Sequence, residues 1–194
     1  KPEDLDEAEE AFHEAEYMLV QLETPLDTVQ KAMEMCAEFD TKVILNPAPA
    51  AQLHDDIISR IDIITPNESE AEKLTGVVVK EEQDASRAAE VLHKRGIDTV
   101  IITLGSQGAF LSDRITGESK MVPGFPVEAT DTTAAGDVFN GQLAVALAEG
   151  LTLEDAIRQA HAAAALSVQK LGAQSSIPRR EETDYFLEEQ SRTK

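Results

Sequence analysis

The stretch EQDASRAAEVLHKRGIDTVIITLGSQG, residues 82–108, decides the fold. Its first half, 82–95, repeats apolar residues three and four apart, which predicts an amphipathic helix closed by Gly96. Thr99-Val100-Ile101-Ile102-Thr103-Leu104 follows, β-branched and almost wholly apolar, which predicts a strand buried on both faces. The strand ends in Gly105-Ser106-Gln107-Gly108. A helix feeding a doubly buried strand is the building unit of a parallel sheet covered by helices.

The same alternation extends outward from this unit. Upstream, residues 3–16 carry Leu5, Ala8, Phe12 and Ala15 on one stripe and predict a helix. Tyr17 to Leu22 predicts a strand, and Pro25 opens a helix over 26–39. Lys42–Leu45 is a second strand, stopped by Asn46-Pro47-Ala48-Pro49, whose prolines cannot continue a ladder. Ile57 to Ile64, chiefly from Ile61, predicts a third strand ending at Thr65-Pro66-Asn67. A helix over 68–74 is then closed by Gly76. Downstream, 109–113 and 118–123 predict a hairpin around Thr116-Gly117. Helices follow from within 131–137 to Ala148, over 152–169 and over 181–190. The expected class is therefore α/β, a three-layer αβα domain with a mostly parallel sheet, one domain over 1–194. Ligands of such sheets bind beyond the carboxyl ends of the strands. That rule points to Glu23, Asn46-Pro47, Pro66-Asn67-Glu68 and Gly105–Gly108.

Composition narrows the function. There are 17 basic and 37 acidic side chains, a formal net charge of −20. A phosphate-backbone binder needs a Lys/Arg surface, and no basic run here is longer than Arg179-Arg180. Nucleic acid and anionic membranes are excluded as natural partners. A polyphosphate would have to be held by backbone N–H groups, a few cations and a metal. The single cysteine, Cys36, lies on the apolar stripe Val29, Ala32, Met33, Cys36, Ala37 and reads as a small buried hydrophobe. No apolar run approaches the ~20 residues that span a bilayer, and no signal peptide is visible, so a cytoplasmic enzyme is expected. The chain opens without Met on an acidic helix, which suggests a fragment of a longer protein.

Three segments carry chemistry. In Asp131-Thr132-Thr133-Ala134-Ala135-Gly136-Asp137, small residues let backbone approach a ligand. If Ala134, Ala135 and Gly136 open a helix, their N–H groups make an anion site. Asp137, one residue on, either complements the helix dipole or accepts a proton from a hydroxyl as phosphate charge develops. Asn67-Glu68-Ser69-Glu70 either caps a helix or supports hydrated Mg²⁺, which takes few protein oxygens. Thr103–Gly108 is either a tight turn or a nucleotide-contacting loop. The GxGxxG and GxxxxGK[ST] phosphate loops are both absent. His161 sits among alanines, where packing is commoner than ligation.

Taken together, Asp131–Gly141 (DTTAAGDVFNG), Asp62–Glu70, Thr103–Gly108, Gln21-Leu22-Glu23, Leu45–Pro49 and Lys170–Gln174 resemble the ribokinase family of carbohydrate kinases over nearly the whole chain. Val138 stands where that family usually has Thr. The resemblance implies that an N-terminal third is missing, with the first strands, a Gly-Gly sugar-binding segment and a β lid that makes the homodimer contact. It implies transfer of the γ-phosphoryl group of ATP to the 5-hydroxyl of ribose. Carried over by position, Asp137 is the base and a sugar contact, and Ala134, Ala135 and Gly136 form the anion hole. Asn67 contacts ATP phosphates, and Glu70 organises Mg²⁺ waters. Thr103, Leu104, Gly105, Ser106, Gln107, Gly108 and His161 bound the nucleotide. Glu23 touches the sugar. Asp131, Thr133, Ser167, Lys170, Gly172 and Ser176 surround K⁺, mostly through backbone carbonyls. Fructokinase-, deoxyribokinase- and adenosine-kinase-like activities remain as alternatives, as does an inactive nucleotide-binding fragment.

Overall fold

Short aliphatic runs separated by proline and glycine give short strands here, and they pair in the order in which they are made. In the computed structural model, which describes residues 1–192, the strands are β1 (Tyr17–Val20), β2 (Lys42–Leu45), β3 (Ile63–Ile64), β4 (Thr99–Thr103), β5 (Gly108–Asp113) and β6 (Glu118–Pro123). They form one six-stranded sheet in the order β1-β2-β3-β4-β5-β6. The first four run parallel, with Val20 beside Leu45, Leu45 beside Ile64 and Ile64 beside Val100. β5 and β6 are joined by the tight turn 114–117, as a hairpin is. The helices are α1 (Glu9–Glu14), α2 (Leu26–Phe39), α3 (Asp55–Ile58), α4 (Glu68–Thr75), α5 (Glu82–Lys94), α6 (Ala135–Ala148), α7 (Leu153–Ser167) and α8 (Arg180–Arg192).

The chain falls into two compact units, 1–104 with 110–121, and 105–109 with 122–194. In the first, Val43, Leu45, Ile64, Val100 and Ile102 share one sheet face. They pack in one cluster with Val29, Met33 and Cys36 of α2, Ala71 of α4, and Ala85, Ala88, Ala89 and Leu92 of α5. Cys36 is fully buried there, as its stripe predicts. The alternate residues Ile44, Ile63 and Ile101 point to the opposite face and are buried too, which is why these strands read as unbroken apolar runs.

Two elements differ from the sequence expectation. Residues 2–8 form a 3₁₀ stretch, and the α-helix covers only Glu9–Glu14. Glu3, Glu7, Glu10 and Glu14, with Asp6, repel one another at helical spacing, which weakens the regular helix. Ile57 and Ile58 are helical, in α3, and β3 is only Ile63–Ile64. The amides of Arg60 and Ile61 bond back to Ile57 and Ile58, a turn that delays the strand.

The second unit is built on the αα-hairpin of α6 and α7, joined by the short connection 149–152. Leu143, Ala146 and Leu147 of α6 and Ala156, Ile157, Ala160 and Ala163 of α7 are buried. The alanines let the two backbones approach closely. Gln142 of α6 bonds Gln159 of α7 at 3.1 Å. Phe125 stacks edge-on against Phe186 of α8 at 5.2 Å. Among the described residues no helix is long and apolar enough to cross a membrane.

Candidate active site

In the first unit, the carboxyl ends of β1 to β4 stand side by side, and the chain leaving each of them is tied to its neighbour. Leu22 N–H donates to Ala48 at 2.9 Å, Thr65 N–H to Leu45 at 2.9 Å, and Thr103 N–H to Pro66 at 2.9 Å. A parallel bridge joins Asn67 to Thr103. The structure thus brings Glu23, Asn46-Pro47, Asn67 and Thr103-Leu104 onto one edge of the parallel strands. Glu23 is exposed and Leu104 buried.

Asn67 and Glu70 make a reciprocal capping box at the start of α4. Asn67 Oδ1 accepts from Glu70 N–H at 2.9 Å and from the Ser69 hydroxyl at 2.9 Å. Glu70 Oε2 accepts from Asn67 N–H at 2.9 Å. The Asn67 side chain also interacts with the Glu70 carboxylate, whose ionised form the Lys73 charge favours as well. Burial raises the Glu70 carboxyl above the usual range, against the pull of the Asn67 amide and Lys73. A buried carboxylate fixed at a helix start fits a group that steadies a hydrated divalent cation, which would also favour its ionised form.

The second unit holds the other half of the predicted residues. Ala134 caps α6 with φ 60° and ψ 12°, left-handed for a residue with a Cβ. That conformation costs roughly 1–2 kcal/mol. A left-handed residue followed by helical ones turns successive N–H groups toward one point, a concavity suited to anions. Ala135 N–H reaches Thr132 only at 3.3 Å, and the first regular helical bond is Val138 to Ala134 at 2.9 Å. Among the described residues the Gly136 amide meets no protein acceptor. Gly136 and Asp137 are exposed, and a Cβ added at Gly136 would find nothing within 4 Å. The turn is open to a ligand at the point where the backbone expects an anion.

Asp131 braces that turn from behind. Its Oδ1 accepts from Thr133 N–H at 2.9 Å and from the Thr133 hydroxyl at 2.6 Å, and its Oδ2 from Gly172 N–H at 2.9 Å. These bonds hold the carboxyl down at about 2. Thr130 and Asp131 N–H both donate to Val168, so Asp131, Thr133, Gly172 and the end of α7 form one loop cluster. Ser167 donates to Ala164, and Ser176 to Ala173. Lys170 points to Glu182 at 3.1 Å. Among the described residues no group of three His, Cys, Asp or Glu side chains could hold a metal ion. A cation at this cluster would rest on carbonyl and hydroxyl oxygens, the donor set of a large monovalent ion.

Gly105, Ser106 and Gln107 form an exposed 3₁₀ turn. Gly108, at φ 112°, lies against Val122 and Gly124 so closely that a Cβ would sit 2.1 Å from the Val122 carbonyl oxygen. Gly124 is the counterpart that sequence reading missed; a second glycine directly after a strand was its only signal.

His161 is buried between α7 and α6, its ring 5.0 Å from Phe139. Its Nε2 is buried without a partner. Burial lowers its pKa from 6.5 to about 4. The unfolded chain therefore takes up a proton before the folded one, and stability falls as pH drops from 6.5 toward 4. The full loss is about 3 kcal/mol. His161→Leu is expected to abolish most of this decline, measured as urea midpoints at pH 7 and pH 4.5. An unchanged decline would assign the acid sensitivity to other groups.

A model of the pfkB family carbohydrate kinases matches residues 1–180, and the chain belongs to this family. It is 53% identical to a ribokinase of Haemophilus influenzae over 182 residues, 94% of this chain and 59% of that protein. It is 41% identical to a ribokinase of Staphylococcus aureus over 184 residues, 94% of this chain and 60% of that protein. The structure of Arabidopsis thaliana ribokinase complexed with ribose and ATP superposes with a TM-score of 0.89 at 32% identity, over 94% of this chain and 59% of that one. The chain therefore spans about 60% of the length of these relatives. Its fold class is theirs, three-layer α/β with a mostly parallel sheet.

Proposed function

We propose that this chain is the nucleotide-binding and catalytic part of a cytoplasmic, ATP-dependent sugar kinase that phosphorylates D-ribose on its 5-hydroxyl. The open left-handed turn at Ala134–Gly136, immediately followed by exposed Asp137, carries the reading. Phosphoryl transfer needs positioning and charge stabilisation more than covalent chemistry by the protein. Asp137 accepts the hydroxyl proton as that oxygen bonds to the γ-phosphorus and the bridging oxygen leaves with ADP. The amides of Ala134, Ala135 and Gly136 face the charge that develops on the transferring group. Asn67 contacts the phosphates, and Glu70 would steady the water shell of Mg²⁺. When bound, Mg²⁺ neutralises phosphate charge. Thr103–Gly108 and His161 border the nucleotide, and Glu23 contacts the sugar. Asp131, Thr133, Ser167, Lys170, Gly172 and Ser176 would hold K⁺, which would stiffen the loop leading to the anion turn. Such a site handles a polyphosphate without a basic surface, which reconciles the activity with a net charge of −20.

The test is a coupled ADP-release assay on the complete polypeptide carrying this sequence, with ribose, deoxyribose, fructose and adenosine. Ribose should give the highest kcat/KM. Preference for another acceptor would move the specificity within the family, and ADP release with none of them would end the kinase reading. The share of relatives' length that the chain spans favours a second reading for the 194-residue chain alone: it binds ATP without transferring phosphate.

A further inference from the structure

Pro47 lacks the N–H that would carry the ladder from β2 to the Thr65 carbonyl after Thr65 N–H has bonded Leu45. At this level a side chain replaces the backbone. Asn46 is 7% exposed. Its Oδ1 accepts from Gln21 Nε2 at 3.0 Å, and its Nδ2 donates to the Thr65 carbonyl at 3.1 Å. One planar amide thus spans the tips of β1, β2 and β3, with its own N–H donating to Val20 at 2.9 Å. Gln21 stands two residues before Glu23, and Thr65 two before Asn67. Only a carboxamide offers an acceptor at one end and a donor at the other in this space.

The geometry points to Asn46 as a positioning residue that couples the acceptor-side segment Gln21–Glu23 to the phosphate-side segment Thr65–Asn67. The inference rests on the roles proposed above for Glu23 and Asn67. Buried as it is, Asn46 acts through these two segments. It fixes how far apart the two segments stand, and misplacement near 1 Å is enough to cost roughly 100-fold in rate. The two ends of the amide are separable. Asn46→Asp keeps the acceptor for Gln21 but sets a carboxylate against the Thr65 carbonyl, so it loosens the phosphate side. Gln21→Leu removes the donor to Asn46 Oδ1 and leaves the bond from Asn46 Nδ2 to Thr65 in place.

The test uses the complete polypeptide and two readouts. In steady-state kinetics, Asn46→Asp should raise the KM for MgATP and Gln21→Leu the KM for the sugar, each by roughly 10-fold, with the other KM within about 2-fold. In amide hydrogen exchange without ligands, Asn46→Asp should speed exchange at Asn67, and Gln21→Leu at Leu22 and Glu23. A role confined to stability would lower the melting temperature of both variants, leave the KM values and the local exchange pattern unchanged, and overturn the inference. If the wild-type protein transfers no phosphate, the functional reading fails by itself, and the exchange pattern still decides whether Asn46 holds the two segments.

Discussion

Asp137→Asn is expected to lower kcat by roughly 10²–10⁴ while leaving nucleotide affinity within a few-fold. The substitution keeps size and hydrogen-bonding reach but removes the proton acceptor. Asp137 occupies the third position of α6 and is exposed, and the isosteric amide keeps its hydrogen-bonding reach, so the loss of its contribution at the helix start is about 0.3–1 kcal/mol. A loss of turnover with an unchanged urea midpoint is the signature sought. Stopped-flow measurement of ADP formation, with nucleotide affinity by calorimetry, separates the two effects. Turnover within about 3-fold of wild type would refute the assignment of the base, since such a residue normally contributes far more.

Gly108→Ala is expected to destabilise the protein by roughly 2–6 kcal/mol, from a strained φ together with overpacking. The new Cβ would lie 2.1 Å from the Val122 carbonyl oxygen and 2.5 Å from the Gly124 nitrogen. Both are backbone atoms, so no side-chain rotation relieves the clash. Gly76→Ala is the control, because Gly76 also has positive φ, at 75°, but nothing lies within 4 Å of its Cβ position. It should lose only about 1 kcal/mol. Urea unfolding of the two variants isolates the steric part, and equal losses would show that Gly108 matters only for its φ.

Much of the fold is legible because its signals are local. α2 starts after Pro25 and ends at Asp40, whose left-handed φ of 60° closes it, and its bounds match the apolar spacing. Gly76 closes α4 at φ 75° as expected. Ile57 and Ile58 mislead because a buried β-branched pair looks alike in a strand and in one turn of helix. The site is legible in part for the same reason. The Asn67–Glu70 box and the Ala134–Asp137 turn are contiguous in sequence, so residue type and spacing announce them. The left-handed Ala134 has no such signal, since alanine is not the residue that conformation selects. The bond from Gly172 to Asp131 joins positions 41 residues apart, and Asn46 reaches Gln21 across 25. No periodicity encodes such pairings; they follow from how strand ends and loops meet.

The strand order has a consequence for how the protein is made. From β2 to β6 each strand lies beside the one synthesised just before it. A nascent chain leaving the ribosome can therefore add β2 to β1, β3 to β2 and β4 to β3, with no gap held open for a later insertion. For these strands loop-closure entropy is met in small steps, which favours rapid acquisition of structure across β1 to β4.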